Sequence, residues 1–154
     1  MAIYTYPEFK KASKKHLIAC ECLIDSLDKG YCTQNKNHIL TTIYYLSGYV
    51  FETILKFSIY SAIGYNRNED ISKLNSHGLE YTKNSMQTHS LMNLKEKMEA
   101  KSIHRLQNFN SNKNLFNRWS SEDRYIEKID FSKDDILSFF KFAKETYTTL
   151  HAYK

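Results

Sequence analysis

Glycine and proline are scarce in this sequence, which has four glycines and one proline among its 154 residues. Folds rich in β-strands need these residues at their many turns, so their scarcity favours a few long helices with few connections. No stretch approaches the roughly 20 apolar residues that cross a bilayer, since even residues 39–64 carry Glu52 and Lys56 in their middle. The N-terminus has no basic start followed by an apolar run, so no signal peptide is predicted. We therefore expect a cytoplasmic helical protein without a membrane segment.

Cysteine is also scarce. Cys20, Cys22 and Cys32 are an odd set, and in a reducing compartment they are expected to be free thiols. Cys20 and Cys22 are two residues apart on a predicted helix, so their side chains diverge and cannot bind one metal ion together. The histidines show no zinc spacing, and no glycine-rich phosphate loop occurs. We therefore predict no metal site and no cofactor.

What the chain does have is the composition of one globular domain. Hydrophobic residues make up 42% and charged residues 25% of it, which leaves too many apolar side chains for a disordered chain. A chain of this length can bury a sizeable core. No repeat or internal boundary is evident, so residues 1–154 are predicted to form a single domain.

Apolar residues recur at helical spacing in the first half of the chain. One helix is predicted from Pro7 to Lys29, with Thr5 and Glu8 as a capping box and Gly30 as its C-terminal stop. A second helix, residues 38–63, is apolar around most of its circumference, which is typical of a helix at the centre of a bundle.

The second half of the chain has shorter patterns. A third helix is predicted near residues 89–101, a short helix after Ser120 or Ser121, and a last helix after Ser132. Residues 107–117 contain five asparagines, which compete for backbone hydrogen bonds, so this segment is predicted to be a loop. The predicted fold is an all-α, up-and-down bundle of four to five helices around a long central helix.

The second helix contains a recognisable motif, IYYLSGYVFETILK at residues 43–56. Its glycine, the glutamate four residues later and the closing Leu-Lys pair resemble the signature of the HEPN family, whose name denotes a nucleotide-binding helical domain of higher eukaryotes and prokaryotes. Gly48 would cost roughly 1 kcal/mol of helix propensity. We interpret it as a packing notch, a position without a side chain at which a neighbouring group approaches the helix closely. Two later pieces follow the family's order: HSLMNL at residues 89–94, similar to His-x-Leu-x-x-Leu, and Trp119 followed by Arg124-Tyr125.

The resemblance implies an up-and-down helical bundle, frequent homodimers and association with nucleotides or RNA. It also implies a bacterial toxin–antitoxin or anti-phage defence setting, in which a nucleotidyltransferase-type antitoxin is a possible protein partner. Glu52 and Lys56 are four residues apart, and this spacing predicts a helical ion pair. The resemblance suggests that Arg124 or His89 could complete a structural network with them.

Many HEPN ribonucleases carry arginine, four to six residues, then histidine. None of the four arginines has a histidine at that spacing: Arg67, Arg105, Arg118, Arg124. The first hypothesis is therefore a non-catalytic or divergent HEPN-like module. The alternative is an active, metal-independent ribonuclease in which Arg124 and His89 meet across a dimer interface. A second alternative is a purely structural protein–protein interaction domain.

Positive charge is concentrated in the middle of the chain. Residues 83–118 hold seven basic and two acidic side chains, a surplus that equals the net charge of +5. Cations attract phosphate and aromatic rings stack on bases, so this segment is a candidate single-strand or nucleotide site. A solvated face that only keeps the domain soluble is the other interpretation, and Trp119 is more often a core residue than a stacking surface. The candidate binding residues are Lys95, Arg105, Lys113, Arg118 and Trp119.

Overall fold

The computed structural model describes residues 4–74, 81–101, 105–127 and 129–152. Over these ranges all regular structure is helical, with no strand. The described part of the chain contains two short 3₁₀ helices, Ile71–Lys73 and Ser121–Tyr125, and seven α-helices: α1 (Pro7–Ser26), α2 (Gly30–Gln34), α3 (Lys36–Ala62), α4 (Lys83–Met86), α5 (Leu91–Lys101), α6 (Phe109–Arg118) and α7 (Lys133–Leu150). None of the described helices is long and apolar enough to cross a membrane.

Helix α3 contributes more buried residues to the core than any other described helix. Its 27 residues span about 40 Å, and it packs against α1, α5 and α7. Val50 and Ile54 are fully buried in it. The helix predicted at residues 38–63 is confirmed to within two residues, because an apolar surface on nearly every side leaves burial as its only stable environment.

The start of α1 differs from the prediction. Tyr6 rather than Thr5 is the N-cap residue, and no side chain caps the helix, so the predicted Thr5–Glu8 capping box is wrong. The Glu8 carboxylate instead accepts a hydrogen bond from Lys11 at 2.7 Å. Tyr6 is buried and stacks on Tyr60 with a centroid separation of 5.9 Å, so burial of this ring sets where the helix begins.

The predicted loop at residues 107–117 is also wrong, since most of it belongs to α6. Phe109 and Phe116 lie on one face of this helix and meet edge to face at 5.3 Å. Asn112 is buried, but its amide donates to the Asn108 carbonyl at 3.0 Å and its side-chain oxygen accepts from Ser138 at 3.2 Å. Burial of the aromatic face therefore outweighs the weak helix propensity of the asparagines.

The later elements follow the sequence more closely. Helix α5 lies within the predicted span of residues 89–101, and a 3₁₀ helix follows Ser120, as expected. Ser132 caps α7, and the capping box with Asp135 is present. The described residues contain more helices than the predicted four or five because α2 and α4 are too short to show an apolar period, and α6 lies in the segment predicted to be a loop.

Candidate functional site

A buried ion pair lies on α3. Glu52 and Lys56 are one turn apart, their side chains are 6% and 7% exposed, and Nζ of Lys56 is 3.0 Å from Oε1 of Glu52. A buried charge without a partner costs several kcal/mol, so each of these groups requires the other. The predicted pair is therefore present, and it is a buried pair rather than a surface one.

His89 completes this cluster from the segment between α4 and α5. Its Nδ1 lies 3.0 Å from Oε1 and 3.1 Å from Oε2 of Glu52. An ionised carboxylate can only accept hydrogen bonds, so Nδ1 must donate. The imidazole is thereby fixed in one orientation and tautomer while its side chain stays 56% exposed. Its Nε2 is left to exchange a proton or to contact a ligand.

Two tyrosines extend the cluster along α3. Tyr45, Tyr49, Glu52 and Lys56 are spaced by four, three and four residues, so they share one face, and we call these four residues the α3 stripe. It covers about 16 Å of helix. Burial raises the pKa of Tyr49, and so does its hydrogen bond with Tyr45. Neither tyrosine is fully buried, so the stripe is accessible at this end.

Arg124 lies at the tyrosine end of the stripe, on the 3₁₀ helix that packs against α3. Its guanidinium is 4.7 Å from the ring centre of Tyr125. The charge of Tyr125, a hydrogen bond to it, and the nearby Tyr45 and Tyr49 raise the Arg124 pKa. Among the described residues, the ion-pair partners of Glu52 are Lys56 and His89. Of the two candidates for the network, His89 makes the contact and Arg124 does not.

His16 approaches the stripe from α1. Its ring lies 5.6 Å from that of Tyr49. Burial lowers the pKa of His16, and the neighbouring Lys15 lowers it further, whereas the charge of Glu52 opposes both effects. His16 is only partly buried.

Two adjoining clefts flank this cluster. The first, which we call the His89 cleft, has a volume of about 610 Å³ and is lined by Lys56, Lys83 and His89 among others. The second, the Glu52 cleft, measures about 520 Å³ and includes His16, Tyr49 and Glu52. Tyr4, Phe9 and Ile71 line both clefts. The buried carboxylate therefore lies beside one cleft while the imidazole that it holds lies in the other.

The predicted basic site is only partly assembled. Lys95 pairs with Glu99 at 3.0 Å and lies 4.3 Å from the ring centre of Phe109. Arg105 donates to the Glu99 carbonyl oxygen at 3.0 Å. These two cations therefore meet at one groove of about 570 Å³, but both already have protein partners. Lys113 is exposed on α6.

Arg118 and Trp119 are held elsewhere. Arg118 bonds the buried Asp123 at 2.8 Å, and this hydrogen bond raises the pKa of its guanidinium. Trp119 is 5% exposed, and its indole N–H donates to the Tyr45 carbonyl at 3.0 Å. A side chain at Gly48 would overlap the indole ring, so Gly48 is the expected packing notch. The buried face of Trp119 is not available for a base in this conformation.

Compared with family models, characterised proteins and solved structures, the chain gives no significant match. Within the described ranges, no group of three or more His, Cys, Asp or Glu side chains is placed to hold a metal ion. The site is therefore interpreted from its own geometry. Sequence reasoning missed Tyr45, Tyr49 and Lys83 as site residues, although the spacing of the α3 stripe could have indicated the two tyrosines.

Proposed function

We propose that this chain is a HEPN-like helical module, non-catalytic or divergent, that binds RNA or nucleotide at the His89 cleft. In this proposal α3 is the central helix of an up-and-down bundle. The observation that carries the proposal is the half-exposed imidazole of His89, fixed by the buried Glu52 carboxylate beside a cleft that also contains Lys83.

The family part of the proposal is supported by which residues come together. Gly48, Glu52 and Lys56 come from one piece of the resembling sequence, His89 from a second and Trp119 from a third. The Trp119 indole packs against Gly48, and the Glu52 carboxylate contacts both Lys56 and His89. Residues up to 71 positions apart thus meet on one face of α3, as expected if the three pieces belong to one motif.

The ligand part is supported by charge and geometry. With a proton on both ring nitrogens, the imidazolium keeps Nδ1–H on Glu52 and can donate Nε2–H to a phosphate oxygen. The exposed Lys83 ammonium adds a positive charge at the same cleft. A fixed imidazole loses little conformational entropy when it binds, so a contact there contributes more than one from a mobile lysine. The opposing charge in the cleft is Asp70, which already accepts from the Ser72 backbone amide at 2.8 Å.

Gel-shift titration of labelled single-stranded RNA at several salt concentrations tests the proposal. Wild-type binding should weaken steeply with salt. His89→Ala and Lys83→Ala should each weaken it, whereas His151→Ala and Lys36→Ala, which remove the same groups outside the cleft, should not. Equal binding by all four variants would refute the assignment of this cleft.

A competing hypothesis places the RNA-binding site on the predicted basic segment, residues 83–118. If RNA follows α6 instead, Lys113→Ala should weaken binding and His89→Ala should have no effect. If the protein shows no RNA or nucleotide binding at any salt concentration, the purely structural interaction domain becomes the better interpretation.

An active ribonuclease is the second candidate, favoured by the Glu52–His89 contact. A histidine whose Nδ1–H is held by a carboxylate can act as a general acid or base through Nε2. Arg124, the proposed phosphate-binding partner, lies towards the tyrosine end of the same α3 stripe. Cleavage of labelled RNA without added metal, abolished by His89→Ala and by Arg124→Ala, would establish this activity. Uncleaved RNA in complex with wild-type protein would favour the non-catalytic module.

The biological setting is part of the same proposal. A cytoplasmic homodimer in a toxin–antitoxin or anti-phage system, with a nucleotidyltransferase-type antitoxin as a possible partner, follows from the family resemblance by analogy. Light scattering of the purified chain tests the dimer directly, and a mass corresponding to one chain of 18.2 kDa would contradict it.

A further inference from the structure

The Glu52 cleft combines aromatic walls with one buried carboxylate. Phe9, His16 and Tyr49 contribute rings to its lining, and the Glu52 side chain is only 6% exposed. Its volume of about 520 Å³ is in the range of small-molecule sites. Aromatic rings stack well on planar heterocycles, so the shape and lining fit a nucleobase.

The carboxylate retains capacity for a further hydrogen bond. Lys56 donates to Oε1, and His89 Nδ1 is shared between Oε1 and Oε2. A carboxylate offers about four acceptor positions, so Oε2 can accept at least one more bond. Because an ionised carboxylate has no donor, the ligand group that meets it must be an N–H or O–H.

The charges at the cleft favour an anionic ligand over an amine. Lys11 and Lys15 line the cleft with Glu8 and Glu52, and Lys56 is paired with Glu52. The lining itself holds two lysines and two glutamates, and Lys56, which lines the neighbouring His89 cleft, offsets Glu52 and leaves one positive charge in excess. Lys11 is itself paired with Glu8 at 2.7 Å, so Lys15 is the cation best placed to meet a phosphate.

We propose that the Glu52 cleft binds the guanine base of an RNA or of a guanine nucleotide. This inference rests on the proposed function and names the base that the RNA presents beside His89. Guanine carries neighbouring N–H donors at N1 and N2, which suit the Glu52 carboxylate. Adenine places an acceptor, N1, beside its single amino group, and that acceptor would face the carboxylate unfavourably. The base stacks on the aromatic lining, and its phosphate lies towards Lys15.

Calorimetric titration of the wild-type protein with GMP, IMP and AMP tests this inference without altering the fold. GMP should bind about tenfold or more tighter than AMP, since discrimination by such contacts is on the order of that ratio. IMP, which keeps N1–H but lacks the N2 amine, should fall between them. Equal affinities for GMP and AMP, or a preference for AMP, would overturn the guanine assignment.

Two variants locate the site. Lys15→Ala should weaken GMP about two- to fivefold while leaving guanosine unchanged, and Lys14→Ala, an exposed neighbour outside the cleft lining, is its matched control. Equal effects of Lys14→Ala and Lys15→Ala would overturn the placement. Glu52→Gln should abolish the preference for GMP over AMP, and if this variant fails to fold, the wild-type ratio still decides.

The RNA gel shift, run in parallel, separates the two proposals. RNA binding that depends on His89 but shows no preference for GMP over AMP overturns the guanine pocket alone. Absence of binding to both RNA and GMP overturns the pocket and the proposed function together. A GMP preference with His89-dependent RNA binding supports both.

Discussion

Gly48→Ala is predicted to destabilise the protein, although alanine is the better helix former. A Cβ atom at this position would overlap Nε1 and Cε2 of Trp119. The indole would have to move, losing its hydrogen bond to Tyr45 and its edge-to-face contact with Tyr49, whose ring centre is 5.1 Å away. Overpacking costs about 1–3 kcal/mol and the lost hydrogen bond about 1 kcal/mol. The gain in helix propensity is about 1 kcal/mol, so unfolding should become easier by about 1–3 kcal/mol.

Urea denaturation followed by circular dichroism measures this change. The double variant Gly48→Ala/Trp119→Leu separates the overlap between the added methyl group and the indole from other causes. Because this variant has no indole ring, it should be no less stable than Trp119→Leu alone. Thr42→Ala, at an exposed position of α3, controls for a general effect of alanine. A Gly48→Ala variant that is more stable than wild type by about 1 kcal/mol, as at an open helix position, would refute the close packing of Trp119.

Three further predictions concern Glu52, His16 and the cysteines. Glu52→Gln should lower the free energy of unfolding by about 3–5 kcal/mol, and the double variant with Lys56→Met should cost less than the sum of the single changes, as measured in urea. The pKa of His16 is lowered in the folded protein, so protonation of this imidazole below about pH 6.5 favours the unfolded state, and the free energy of unfolding falls with the pH. The variant His16→Gln lacks this group and should therefore lose less stability than wild type between pH 7 and pH 5. Burial raises the pKa of Cys20 to about 12 while Cys22 is exposed, so a thiol reagent at pH 8 should modify Cys22 in the folded protein and Cys20 only after unfolding. Equal modification rates for the two thiols would contradict the burial of Cys20.

The contrast between α3 and α6 shows what the sequence could reveal of the fold. Helix α3 was predictable because its apolar pattern is long and runs around most of the helix. Helix α6 was not, because its asparagines suggest a loop, and the stabilising contacts of Phe116 with Phe51 and Phe142 come from residues far away in sequence. Weak local helix propensity is outweighed when residues distant in sequence bury the apolar face of the helix.

The site was predictable to a similar degree. The spacing of Glu52 and Lys56 indicated their ion pair, since four residues form one helical turn. The choice between His89 and Arg124 as third member needed the fold, because His89 is 37 residues from Glu52 along the chain. The charge count of the middle segment could not show that Lys95 and Arg118 are already paired with Glu99 and Asp123.

The most direct test of this account is a proton–nitrogen NMR spectrum of the His89 imidazole, recorded with and without RNA. We expect a proton on Nδ1 that is held by Glu52 and whose signal is lost or shifted in Glu52→Gln. We also expect an Nε2 resonance that shifts when RNA is added. An imidazole that exchanges freely between tautomers, or that is unaffected by RNA at saturating concentration, would contradict it.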